Sequence, residues 1–210
     1  MGARALEVVG ERWSLLVVRD LLPGPRRFTD LIRSLNPITP TRLTDRLRRL
    51  EAAGVVEREP AESGNEVWYR LTEAGRDLGP AVDELTFWGI VHARQPPRAG
   101  EPVHSEATMI GTKVWLNKLS SAPPDGLVWS WRFPGQDSYS LLAKDGAWEL
   151  TRGEQEGTAV TVDATTEDWA VFLTTPRERR RLPSKSVRLE GSKSEVKKFV
   201  KAFGAKAPPQ

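Results

Sequence analysis

Residues 28–54 read FTDLIRSLNPITPTRLTDRLRRLEAAG, and this stretch decides the fold. Phe28, Leu31, Ile32 and Leu35 recur at the spacing of one helical face, which predicts a helix from Phe28 to Leu35. Asn36-Pro37-Ile38 makes the turn. Thr39 is a good N-cap, because its hydroxyl accepts from the unsatisfied amides of a first turn. Pro40 suits the first helical position, where no N–H is needed. Leu43, Leu47 and Leu50 follow at i, i+4 and i+7, and Gly54 sits where a left-handed residue ends a helix. The second helix is therefore predicted over Thr39 to Ala53. Its other face carries Thr41, Arg42, Asp45, Arg48 and Arg49. A helix held down by leucines and presenting arginines outward suits the major groove of a DNA duplex.

The flanking sequence extends this pattern. Val55 to Pro60 and Glu66 to Leu71 are strand-like around the turn-rich Ala61-Glu62-Ser63-Gly64-Asn65, which predicts a hairpin. Helix, turn, helix, hairpin is the order of a winged helix-turn-helix. Upstream, Ala3 to Gly10 and Trp13 to Leu22 are predicted helices, the second stopped by Pro23-Gly24-Pro25. Downstream, Thr72 is predicted to cap one last helix running to about Val91, with Leu78, Val82 and Leu85 as its apolar stripe.

Gln95 to Pro102 holds three prolines and a glycine in eight residues and is read as a joint. Composition shifts across it. Residues 1–98 contain no lysine, whereas the remainder contains nine and five of the eight tryptophans. The predicted organisation is a domain over 1–94, a linker over 95–104 and a second domain over 105–210. Formal net charge is +3 for the 210 residues. Affinity for nucleic acid must therefore come from where the arginines sit, not from bulk basicity. The chain has no cysteine and only two histidines, His92 and His104, so disulfides, thiol chemistry and a zinc site are not expected. The apolar cluster Leu15-Leu16-Val17-Val18 is far too short to span a bilayer, and the first residues do not form a signal peptide. A cytoplasmic location without membrane partners is expected.

The second segment predicts a helix from Ser105 to Leu119. Strand-like alternation follows around Leu127 to Phe133, Tyr139 to Ala143, Trp148 to Arg152 and Thr158 to Ala164. Lys144-Asp145-Gly146 is a hairpin turn. Glu167 to Leu173 reads as a helix and Val187 to Leu189 as a short strand. Ser192 caps a final helix carrying Val196, Phe199 and Val200. The fold class expected for the whole chain is a mainly α winged helix-turn-helix domain followed by an α+β domain with a mostly antiparallel sheet.

The first segment resembles the HxlR-type winged helix transcriptional regulators, a branch close to the MarR-type regulators, over most of residues 3–90. The resemblance is carried by an ordered set that includes Trp13, Arg27-Phe28, Ile38, Gly54-Val55-Val56, Tyr69, Leu71-Thr72, Gly75 and Trp88. It implies homodimers on palindromic operators in double-stranded DNA. Several members sense oxidants or aldehydes through a cysteine near the start. Met1-Gly2-Ala3-Arg4 has no thiol, and Gly64-Asn65 replaces the family's wing-tip proline. The second segment is similar to sterol carrier protein-like domains on Thr165 to Trp169 and Val187 to Ser192. That resemblance implies a curved five-stranded sheet whose covered face holds an apolar ligand.

The candidate DNA-contacting residues are Arg27, Thr39, Thr41, Arg42, Thr44, Asp45, Arg48 and Arg49, with Arg58, Ser63, Asn65 and Arg70 in the hairpin. The competing reading of the helix arginines is a solvated face paired with neighbours such as Asp45 and Glu51. Leu6, Val9, Leu78, Val82, Leu85 and Trp88 are candidates divided between core and a two-fold interface. Trp129, Trp131, Phe133, Tyr139, Trp148, Trp169 and Phe172 are candidates for an aromatic or apolar ligand site, against a reading as ordinary core. The basic run Arg177, Arg179, Arg180, Arg181 and Lys185 is read as solvated surface, with flanking DNA or an anionic ligand as the alternative. The sequence contains no phosphate loop, nucleophile elbow or metal-ligand cluster. The expectation is a non-enzymatic regulator without cofactor, a dimeric repressor whose operator binding responds to a small molecule held by the second domain. The alternative is a small-molecule binding or catalytic protein that uses its winged helix for dimerisation.

Overall fold

A computed structural model describes residues 2–60, 67–93, 97 and 102–206. The chain divides into two units, Met1–Leu85 and Thr86–Gln210. In the first unit, α1 (Gly2–Val9) and α2 (Arg12–Leu21) precede a short strand β1 (Arg26–Arg27). Then come α3 (Phe28–Ser34), α4 (Pro40–Ala52), β2 (Val56–Pro60), β3 (Val67–Leu71) and the one-turn helix α5 (Glu73–Arg76). The helix α6 (Gly79–His92) follows. The strands form an antiparallel sheet in the order β1-β3-β2, with Arg58 opposite Tyr69 and Arg26 also opposite Tyr69 from the other side.

The core of this unit is the set the periodicity selects. Leu31, Leu35, Ile38, Leu43, Leu47 and Leu50 join Val17, Val18, Leu21, Val56 and Leu71, all at most 5 % exposed. Two polar ties inside it are invisible to apolar patterning. Asp20 is fully buried, takes the Arg19 guanidinium at 2.8 Å and accepts from the Ser34 hydroxyl at 2.6 Å. Its backbone carbonyl accepts from Arg26 Nε at 3.1 Å, so one acidic residue fastens α2 to β1 and α3.

Two details depart from the sequence-based expectation. The strand β1 has only two residues and lies beneath the length at which alternation is detectable. The helix expected from Thr72 to Val91 is two helices. Thr72 caps only α5, accepting from the Gly75 amide at 3.0 Å, and α6 begins afresh at Gly79. Of the apolar residues weighed between core and interface, Val9 and Val82 are buried in the unit's own core, whereas Leu6, Leu85 and Trp88 are 65 %, 56 % and 59 % exposed. The hairpin tip, with Ser63 and Asn65, and most of the expected 95–104 linker lie outside the described residues.

In the second unit, α7 (Ser105–Leu119) precedes β4 (Val128–Arg132), β5 (Tyr139–Lys144), β6 (Ala147–Arg152) and β7 (Val160–Ala164). Then come α8 (Thr166–Thr174), a 3-10 turn (Arg177–Arg179), β8 (Val187–Gly191) and α9 (Lys193–Ala202). The five strands run in the order β6-β5-β4-β7-β8. Every pairing is antiparallel except β4 with β7, which is parallel, so the sheet is mixed but mostly antiparallel. Trp129, Trp131, Leu141, Trp148, Val160 and Val162 share its apolar face and pack with Met109, Trp115, Trp169 and Phe199 from the helices. The opposite face is polar. Arg132 grips Glu154 through two contacts of 2.9 Å, which holds the Glu154 carboxyl below its ordinary pKa. Ser130, fully buried there, meets the Ser140 and Thr158 hydroxyls at 2.8 Å each. No described helix is long and apolar enough to cross a membrane.

Candidate nucleic-acid interface

The helix α4 begins as its sequence dictates: Thr39 Oγ1 accepts from the Arg42 amide at 3.4 Å with Pro40 next in line. It ends at Ala53, followed by Gly54 with φ +69. Leu43, Leu47 and Leu50 are buried, while Thr41, Arg42, Asp45, Arg48 and Arg49 are all exposed. Among the described residues, no carboxylate lies within ion-pair distance of Arg42, Arg48 or Arg49. Three guanidinium groups are therefore presented on one helical face without an internal partner. Thr44 is half-buried, and its hydroxyl donates to the Pro40 carbonyl at 2.9 Å. Thr39 is exposed but already engaged as the cap, so its structural work is explained without a ligand.

One arginine on this helix was not among the candidates. Arg46 is 9 % exposed; it pairs with Glu11 at 2.8 Å and donates to the Ser14 hydroxyl at 3.3 Å. Glu11 also caps α2 through the Trp13 amide, so α4 is tied to the α1–α2 corner by one charge pair. Arg46 falls at i+3 from Leu43, on the leucine side of the helical wheel; that angular position was the signal available. Glu11, Trp13, Arg42, Asp45, Arg46 and Arg49 line an open cleft of about 390 Å³.

The hairpin arginines stand differently. Arg58 pairs with Glu51 at 3.0 Å, and Arg70 lies 3.2 Å from Glu57 and 3.3 Å from Glu59. Their charge is partly answered before any ligand arrives. Tyr69, across from Arg58, has its phenol pushed above the ordinary value, first by burial and then by the charge of Glu51, with Arg58 and Arg48 opposing. Arg27 is exposed on β1, where its guanidinium sits 4.7 Å over the Trp68 ring.

The aromatic candidates of the second unit are brought together, but chiefly with one another. All seven are at most 7 % exposed. Trp129 stacks on Trp148 with centroids 4.4 Å apart, Trp169 stacks on Phe172 at 4.8 Å, and Trp131 meets Trp169 edge-on at 5.6 Å. Such packing is sufficient reason for burying large rings. Trp129 and Trp148 also border a cleft of about 270 Å³, with Leu127, Pro124, Glu195 and Lys198 around it. In the basic run, Arg180 contradicts the solvated reading. It is 1 % exposed, lies 4.0 Å over the Trp115 ring, and donates to the carbonyls of Thr175, Leu173 and Phe203. Arg177, Arg179, Arg181 and Lys185 are exposed as expected. Among the described residues no cluster of three or more metal-ligating side chains occurs.

Comparison with known proteins agrees with the first unit's geometry. The family model described as HxlR-like helix-turn-helix matches residues 8–96. An uncharacterized HTH-type transcriptional regulator of Mycobacterium tuberculosis is 48% identical over 101 residues, 48% of this chain. The match spans 62% of that relative, less than two thirds of its length. The HTH-type transcriptional regulator YkvN of Bacillus subtilis is 40% identical over 96 residues, covering 45% of this chain and 81% of the relative. The reduced form of the transcriptional regulator YodB from B. subtilis is 32% identical over 41% of this chain and 86% of its own, with a TM-score of 0.39. A winged helix-turn-helix with an arginine-bearing second helix, matched over most of the length of such a regulator, places the chain in a family of transcriptional regulators rather than enzymes: it belongs to the HxlR-like helix-turn-helix proteins.

Proposed function

We propose that the protein is a sequence-specific DNA-binding transcriptional regulator that acts as a homodimer on a two-fold operator. The observation that carries this reading is the single face of α4 with Arg42, Arg48 and Arg49 exposed and unpaired among the described residues. A guanidinium without an internal acid has lost nothing to intramolecular pairing, so its fork is available to guanine O6/N7 or phosphate. Thr41 and Asp45 flank these arginines, and Thr44, Arg27, Arg58 and Arg70 supply polar and backbone contacts nearby. One recognition helix reads too few base pairs for specificity, which is why two are needed. Leu6 on α1 and Leu85 and Trp88 on α6 are exposed apolar side chains on the terminal helices, as a two-fold interface would require. Occupancy of a promoter is enough to block transcription, so repression is the mode proposed. In vitro selection from a random duplex library is the test: enrichment of an inverted repeat is expected, and a pool that stays random would end this reading.

The second unit is proposed as the sensor. Its sheet with one aromatic face is compatible with the sterol carrier protein-like resemblance, and the cleft beside Trp129 and Trp148 has room for a single-ring aromatic ligand. A ligand that binds one DNA-affinity state better than another would shift the population between them. Titrating single-ring aromatic compounds is expected to quench tryptophan fluorescence and to change operator affinity in step. If quenching leaves DNA affinity unmoved, the sensor role fails and the second unit binds ligand for another purpose.

A further inference from the structure

The positive charge of this chain is segregated. Residues 176–206 hold eleven Lys and Arg against three Asp and Glu, a net of +8. The whole chain is only +3, so the other 179 residues carry −5. The fold brings the segment that leaves α9 against the 177–181 run. On α9, Lys193, Lys197 and Lys201 recur at i, i+4 and i+8 on the exposed side, opposite the buried Phe199. The chain turns at Gly204, where a Cβ would lie 2.5 Å from Arg177 Nε. Lys206 then bridges to Arg181, its amide donating to the Arg180 carbonyl at 3.1 Å and its own carbonyl accepting from the Leu182 amide at 3.2 Å. The buried Arg180 pins this junction by donating to the Phe203 carbonyl at 3.2 Å. Two basic stretches far apart in sequence become neighbours. Among the described residues, Arg179, Lys193, Lys197, Lys201 and Lys206 have no carboxylate within ion-pair distance; Lys198 is the exception, at 2.7 Å from Glu195.

We infer that this ridge is a second, sequence-independent surface for the phosphodiester backbone of DNA. Its charge is complementary to a regular row of phosphates. Lysine is a compact point charge with rotatable donors, suited to phosphate oxygens and indifferent to base identity. The first unit, which contains no lysine, reads bases with forked arginines; the ridge adds affinity without adding sequence preference. The inference rests on the DNA-binding reading above and deepens it. Each lysine that neutralises a phosphate releases counterions, so it appears as a slope in log affinity against log salt, about 0.9 per contact.

The test uses full-length protein, a labelled random-sequence duplex of about 40 base pairs and a KCl series. The variant Lys193→Gln/Lys197→Gln/Lys201→Gln is expected to bind about tenfold more weakly at low salt, with the slope reduced by roughly 0.9 per lysine removed. The Arg triple variant at the same positions is expected to keep the wild-type slope, and selected sequence preference is expected to be unchanged in both. An unaltered slope in the Gln variant overturns the ridge, and if the wild type still selects a preferred site the regulator reading survives alone. A lost slope in a protein that selects no site supports the ridge and overturns the regulator reading. Absence of DNA binding at low salt overturns both. If the Gln variant loses binding to phosphatidylserine-containing vesicles while its DNA slope stands, the surface serves a membrane and not DNA.

Discussion

At the residue scale, the arginines of α4 divide by what they meet. Arg42, Arg48 and Arg49 face outward, whereas Arg46 is spent on Glu11 and Ser14. The two classes predict opposite phenotypes. Arg42→Ala or Arg48→Ala is expected to weaken binding to the selected operator by about 1–3 kcal/mol while shifting stability by no more than roughly 0.5 kcal/mol. Arg46→Ala is expected to cost about 1–3 kcal/mol of stability, because it removes charge-assisted hydrogen bonds from a largely buried site. Urea melts and anisotropy titrations on the same preparations separate the two. Equal loss of stability in all three variants would mean the outward arginines are structural. The sequence marked Arg42, Arg48 and Arg49 because leucine periodicity fixes which side of a helix faces water. It left Arg46 out without giving its role, because Glu11 comes from the corner between α1 and α2, 35 positions earlier.

The elements around α4 were the most legible part of the chain, since their ends are set by local chemistry. Thr39, Pro40 and Gly54 do at the helix ends what their side chains dictate. The φ of +69 at Gly54 with nothing within 4 Å of an added Cβ makes Gly54→Ala a pure backbone penalty, about 1 kcal/mol. Gly75→Ala is different: its Cβ would come within 2.1 Å of the Val55 carbonyl oxygen, so backbone must move. That substitution is expected to cost about 3 kcal/mol, the upper part of the overpacking range. Thermal or urea unfolding of the pair checks the order; a Gly75 variant as stable as the Gly54 variant would refute the close approach. The same junction explains the broken helix after Thr72. Thr72 Oγ1 donates to the Gly54 carbonyl at 2.6 Å and accepts from the Gly75 amide, so this residue is spent joining β3 and α5 to the exit of α4. A capping residue announces where a helix begins, and the break after it is announced by Gly79-Pro80, since a proline interrupts a helix already running but suits the first turn of a new one, here α6.

At the scale of the whole molecule, exposed apolar side chains are what the proposed two-fold interface rests on. Leu85 and Trp88 lie three residues apart on α6, each more than half exposed. Leu85→Glu or Trp88→Glu is expected to convert a dimer to a monomer in sedimentation velocity at micromolar concentration and to abolish operator binding with it. A monomeric wild type would refute the interface outright. The sequence by itself determined the winged helix-turn-helix and the outward arginine face, because period, caps and turn residues act within a few positions of one another. It also determined the helices and most strands of the second unit, where apolar and polar residues largely alternate. Tertiary structure alone decided that the aromatic excess is mainly core, that Arg180 is buried, and that the segment leaving α9 meets the 177–181 run. The reason is physical. Burial of a ring or a charge depends on which distant residues arrive beside it, and no spacing along the chain encodes that arrival.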